Sequence, residues 1–212
     1  PVKCSFAMVR KPERPEPWTV FITPEDQGEV SDFAINLGAP GDRKDDDGKV
    51  WFAYPNPNTV YTKNHYPGYG VKFDIEEQVA PGGGFFCHDF KNLEVAGTDE
   101  PWLFTSGCEG LLHCRIPTVT PGTEAQARKY TVRLGFIAPE DSEPPAPFDV
   151  KLQGSVVVED VDLVAAGGGK GKAVVQEFQD VAATGALDIN IVPGGSTLPV
   201  LSFIEVVRQD AG

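Results

Sequence analysis

The chain has 212 residues, 41% of them hydrophobic, and a net charge of −13 from 31 acidic and 18 basic side chains. That apolar content is enough for a packed core and excludes a disordered chain, while the negative charge makes nucleic acid and anionic membrane poor partners. No apolar run reaches the roughly 18 residues of a bilayer-spanning helix, so membrane insertion is not expected; there is no signal peptide, and a start at Pro1 reads as a piece of a longer protein.

Residues 1–17 hold four prolines among charges and read as an extended lead-in or linker, leaving 18–212 as a single domain. Within it, 18–22 and 31–37 are strand candidates, followed by an acidic loop at 42–47 and the aromatic strand 50–54, VWFAY. Residues 55–70 are rich in Pro, Asn, Gly and Tyr and read as a long loop. Strand patterns resume at 71–75 and 84–90, and 102–106 and 111–116 form another pair around Gly107–Gly110; 123–129 is the one helix-like turn. The clearest signal lies at 130–164. Tyr130, Val132, Leu134 and Phe136 alternate with polar residues, and Phe148, Val150 and Leu152 do the same, the mark of half-buried strands. Gly154-Ser155 offers a turn into Val156–Val158, so three adjacent strands are expected. Strands at 173–181, 186–192 and 200–207 follow, the last with Ile204 and Val206 inward and Glu205 between them. About a dozen short strands without a β-α-β alternation predict an all-β antiparallel sandwich or jelly roll.

Cysteines stand at 4, 87, 108 and 114. An even number in a β-rich chain predicts disulfides and an oxidising compartment. Cys87 is expected to bridge to Cys108 or Cys114, tying separate strands together, with Cys4 on the remaining cysteine or unbridged. Buried thiols are the competing reading. No C-x2-C zinc pattern occurs.

The runs YTVRLGF, FDVKLQGSVVVEDVDL, ALDINI and LSFIEVV, with SDFAINLGAP upstream, resemble the malectin and malectin-like domains, over roughly residues 31–207. The stretch INLGAPGDRKDDDGKVWFAYP is similar to malectin-like regions of large bacterial extracytoplasmic proteins. The resemblance implies a malectin-like, galactose-binding-like β-sandwich that binds a glycan through loops at one end, without catalysis. It also implies a secreted, periplasmic or cell-surface setting. Where malectin has a Tyr-Phe pair after the strand matching 130–137, this chain has Ala138-Pro139-Glu140. Ahead of the last strand it has Gly194-Gly195-Ser196-Thr197 in place of an aspartate, so no sugar-binding residue carries over.

A sugar ring needs a flat apolar platform and a few polar groups to fix its hydroxyls. The candidates are Trp51 and Tyr54 on the aromatic strand, Tyr61, Tyr66 and Tyr69 in the long loop, and Trp102. Core packing is the competing role for Trp51 and Trp102. The acidic loop fails the D-x-D-x-D-G calcium template, because Arg43 takes the first position when Gly48 is aligned with the glycine, and it reads as solvated. His65, His88 and His113 have no motif spacing, and G-x-S-x-G, H-E-x-x-H and the P-loop are absent. The sequence therefore reads as a non-catalytic carbohydrate-binding module with no cofactor or metal. Its expected partners are an oligo- or polysaccharide and other domains of its own polypeptide. The alternative is a structural domain that docks on neighbouring domains without binding sugar.

Overall fold

The computed structural model describes residues 32–55, 75–88, 94–119 and 123–209, with the backbone of two further strands, β1 (Trp18–Phe21) and β5 (Gly70–Phe73), which pair antiparallel. Cys4, Tyr61, Tyr66, Tyr69 and the proline-rich lead-in lie outside the described residues.

Two layers face each other. The back layer has the order β11 (Ala173–Thr184), β8 (Ala127–Ile137), β13 (Val200–Arg208), β2 (Asp32–Leu37), β4 (Val50–Tyr54) and β3 (Arg43–Lys44). The front layer has the order β6 (Glu76–Cys87), β7 (Ser106–Pro117), β12 (Ala186–Pro193), β9 (Phe148–Leu152) and β10 (Ser155–Val161). They join where the start of β13 pairs with β7, Val200 opposite Glu109 and Leu201 opposite Cys108. Every pairing is antiparallel except β2 with β4, which is parallel and makes the sheet mixed.

The predicted alternation points inward as expected. Tyr130, Val132, Leu134, Phe136, Phe148, Val150, Leu152, Leu187, Ile189, Ile191, Ile204 and Val206 belong to one buried cluster between the layers. The neighbours of the central stretch differ from expectation. β8 pairs with β11 and β13, whereas β9 pairs with β10 and β12, so β8 and β9 face each other across the core. Period-two patterning fixes which face is buried but leaves the strand's partner open. The hairpin turn falls at Gln153-Gly154, both at positive φ (52° and 78°), which sets Ser155 opposite Leu152.

Three other expectations are corrected. Residues 106–117 form one long strand instead of a hairpin around Gly107–Gly110. Gly107 is there because a Cβ would lie 2.9 Å from Val200 and 3.0 Å from the Leu201 carbonyl, at the seam between the layers. Pro101–Phe104 is a 3-10 turn, with Leu103 and Phe104 buried. Residues 123–126 carry no helix; a single helical turn lies at Leu163–Gly167, capped by the Asp162 carboxylate on the amides of Val164 and Ala165 and closed by Gly168 at φ 71°.

The expected disulfide is not formed. No bridge joins any two of Cys87, Cys108 and Cys114. Cys87 ends β6 opposite Ser106, while Phe85 holds the place across from Cys108. Cys108 and Cys114 sit on one strand and point into the core, and burial together with nearby Glu77 pushes the Cys114 thiol far above its ordinary range. These two thiols are core residues while Cys87 is exposed, and the compartment argument built on the expected bridge falls with it.

Phe148, 1% exposed, meets Phe136 across the core at 5.2 Å between ring centroids. Phe148→Ala should cost about 3–5 kcal/mol in denaturant unfolding, the usual range for deleting a buried Phe. A loss well under about 1 kcal/mol would place the ring outside the core.

Candidate functional site

The outer side of the back layer carries the polar chemistry. β13 is the cause: all residues from Val200 to Val206 are buried, so this strand is covered on both faces. Its inner face gives Ile204 and Val206 to the main core. On its outer face Phe203 joins Ala34, Trp51, Leu103, Phe104, Ile137 and Val200 in a second apolar cluster, roofed by the 3-10 turn. Phe203 lies over Gly135 of β8, where a Cβ would stand 2.1 Å from the ring. One position further along β13, the same face bears Glu205.

Strand register places Glu205 in a row across the layer. From the β3 edge it runs Arg43, Trp51, Ala34, Glu205, Arg133 and Glu177, each opposite the next. Arg133 Nη1 donates to Glu205 Oε2 at 2.9 Å, and its Nε lies 3.5 Å from Glu177 Oε2. The small Ala34 leaves room for Lys49, whose Nζ crosses it to donate to Glu205 Oε1. Glu205 is only 3% exposed at the side chain while Lys49 and Arg133 are 38% and 43% exposed, so one buried carboxylate is held between two half-exposed cations.

Lys49 brings the acidic loop with it. Asp45 accepts from the Lys49 amide at 2.8 Å and from Trp51 Nε1 at 3.0 Å, and Asp42 accepts from the Ala53 amide at 2.9 Å. These two carboxylates therefore stitch the loop to β4. Desolvation raises the Asp45 carboxyl, but the Trp51 and Lys49 contacts outweigh it and hold it below its usual range. Glu100, just before the 3-10 turn, behaves the opposite way. Burial, then the Asp45 charge, push its carboxyl up, with Lys49 working against them and Glu205 and Asp47 adding to them.

Two of the predicted aromatics meet here. Trp102, half-buried on the 3-10 turn, stands edge-on to Trp51 at 6.1 Å between centroids. The Arg43 guanidinium lies 4.3 Å above the Trp102 ring. Trp51 itself is 2% exposed, packed edge-on against Phe203 at 5.1 Å, so its ring is enclosed by protein. Tyr54 is 3% exposed in the main core beside Phe85, and burial with the facing Glu77 carboxylate drives its hydroxyl far above the ordinary tyrosine range. Of the predicted residues within the described part of the chain, Trp102 alone has a ring that reaches the surface. Arg43, Lys49, Glu100, Arg133 and Glu205 had no sequence signal beyond charge, because register and loop closure bring them together.

The two loops compared with malectin do meet at one end of the sandwich. Gly194 and Gly195 pack directly on the loop before β9, where Cβ atoms would lie 2.1 Å from the Pro147 carbonyl and 2.8 Å from Ala146. A second polar group lies on the outer side of the front layer. Asp188 accepts from Arg115 at 2.6 Å, lies 3.2 Å from His113 Nε2, and has its backbone fixed by Gln153.

The architecture defined by these layers is a malectin-like β-sandwich. Among solved structures it is similar to Bacteroides uniformis β-glucuronidase 2 (TM-score 0.59, 16% identity), covering 84% of this chain and 18% of that enzyme. It is also similar to the ANXUR1 extracellular domain from Arabidopsis thaliana (TM-score 0.58, 12% identity), covering 84% of this chain and 48% of that one. A third likeness is to a complex of the plant peptide RALF23 with FER and LLG2 (TM-score 0.55, 12% identity, 85% and 49% covered). The chain thus spans less than a fifth of the glucuronidase and about half of the plant chains. No family model matches the sequence, and no curated protein sequence does.

Because Glu100 is held above its ordinary range, its charge opposes folding once it ionises. The sign follows from linkage: a raised carboxyl costs nothing while protonated, and the cost grows as pH rises through the ordinary glutamate range and is complete above the raised value. Glu100→Gln should therefore raise the melting temperature at neutral pH, with the gain vanishing in acid below the ordinary glutamate range. A gain that grew on acidification would contradict this arrangement.

Proposed function

We propose that this chain is a non-catalytic carbohydrate-binding module of a larger extracytoplasmic protein, with Trp102 as the aromatic platform of its site. The observation that carries the reading is the Arg43–Trp102 stack at 4.3 Å on the rim of the charged row. An indole that reaches solvent beside a guanidinium, an ammonium and a carboxyl offers what a sugar needs: an apolar face for its C–H groups and donors and acceptors for its hydroxyls. Arg43 covers the ring in the unliganded protein and moves aside to hydrogen-bond the ligand, while Trp51, fixed through Asp45 at 3.0 Å, holds the indole from behind.

The fold comparison supports this setting. A domain of this shape occurs as a segment of a longer glycoside-cleaving enzyme and as part of plant extracellular domains, which supports a secreted or surface module that works beside other domains. Tyr61, Tyr66 and Tyr69 remain part of the proposed glycan contact on sequence grounds, in the segment between β4 and β5.

Calorimetry against a panel of soluble polysaccharides should find a ligand for the wild-type protein. Trp102→Ala should weaken its binding at least tenfold, about 1.4 kcal/mol or more, with the melting temperature little changed. No binding to any polysaccharide of the panel would replace this reading with a domain that docks on its own neighbours. Wild-type affinity in Trp102→Ala would move the site away from the charged row.

A further inference from the structure

We infer that the lateral edge formed by β10 and β11 is built to refuse an added strand, and that Asp160 and Asp180 are its guarding residues. Among the described residues β10 pairs only with β9, and β11 only with β8 except at its first residue, where the Ala173 amide donates to the Ala96 carbonyl at 2.9 Å. Both therefore present an open row of backbone donors and acceptors at the same side of the sandwich, the kind of surface that templates pairing with another chain. Both are also apolar there. Val156 and Val157 of β10 are 45% and 38% exposed, and Val175 of β11 is 41% exposed. Ser155–Val158 is an uncharged run without proline in which three of the four residues are β-branched, a composition prone to aggregate when left on an open edge.

Each edge strand interrupts its ladder at an aspartate, and β10 does so at Val157 as well, where it takes two steps from Val156 to Val158 while β9 takes one, from Lys151 to Val150. β10 takes three steps from Val158 to Val161 while β9 takes two, from Val150 to Phe148. β11 takes three from Phe178 to Val181 while β8 takes two, from Val132 to Tyr130. The extra residues are held in the left-handed region, Asp160 at φ 52° and Asp180 at φ 58°. Aspartate tolerates that region far better than the valines around it, so residue choice and backbone agree. Each bulge is also fastened. The Asp160 amide donates to Asp149 Oδ1 at 3.0 Å, and Asp180 Oδ1 accepts from Lys129 Nζ at 2.8 Å. A bulge kinks the strand and increases its twist. A strand docking on this side would have to follow these kinks and bury exposed carboxylates, which is costly. The same device recurs on both strands, each of which also carries an exposed valine. Neighbouring domains must then reach this chain through its faces or ends.

The test deletes Asp160, and separately Asp180, so that each strand loses its aspartate bulge, β10 keeping only the irregularity at Val157. Size-exclusion chromatography with light scattering follows the mass over a concentration series, and thioflavin fluorescence follows fibrils. The wild type should keep one mass at all concentrations, while either deletion should shift to dimers and larger species as concentration rises. Adding Val157→Lys to the Asp160 deletion should restore the wild-type profile, because a charge on the edge blocks pairing. A folded deletion variant with the wild-type profile, or one that Val157→Lys fails to rescue, overturns the inference. So does a deletion variant that cannot fold, since the bulge would then serve folding and not the edge.

Discussion

One carboxylate in a largely apolar, doubly covered strand constrains the whole back layer. β13 lies between β8 and β2 and is covered on both sides, yet it carries Glu205 at 2% exposure. A buried ionised carboxylate is tolerable only if it is paired and hydrogen-bonded. Two strands and a loop answer that demand: β8 supplies Arg133, and the chain entering β4 supplies Lys49. Such a pair adds little net stability compared with an apolar replacement, because desolvation consumes most of the attraction. What it does is fix geometry. Lys49 has one place to go, and the acidic loop must close over Ala34 to put it there.

The proposed site is a consequence of that closure. Once Lys49 is anchored, Asp45 is within reach of the Trp51 indole, and Trp51 fills the outer apolar cluster against Phe203. Trp102, brought in by the 3-10 turn whose Leu103 and Phe104 complete the same cluster, then has a rigid neighbour on one side and Arg43 on the other. Close packing below and charged side chains beside it is the arrangement in which a surface aromatic can serve a ligand without paying for its own ordering on binding. On the front layer, Asp188 instead engages Arg115 and His113.

How much of this could be read from the residues depends on how many faces of a strand are buried. β8, β9 and β12 bury one face, so Leu134, Val150 and Ile189 announced themselves by alternation. β13 buries two, and its Phe203 and Glu205 took the places that alternation assigns to solvent. Gly107 suggests a turn because glycine usually marks one; here it lets two layers approach at their seam. Pro101–Phe104 was apolar enough to pass for a strand although its residues cover a sheet from outside. Trp51 and Trp102 were both picked out as aromatic. That one is enclosed and the other reaches the surface depends on a contact between segments fifty residues apart, which local sequence does not contain.

The central claim is that Glu205 is the buried charge and that Lys49 and Arg133 exist to satisfy it. Urea unfolding of Glu205→Gln beside the double variant Lys49→Met/Arg133→Met tests it most directly. Removing both cations strands a carboxylate at 3% exposure and should cost about 3–5 kcal/mol. Removing the carboxylate leaves two half-exposed cations that can turn to water, and should cost about 1–2 kcal/mol. A double variant as stable as Glu205→Gln, or more so, would contradict the account.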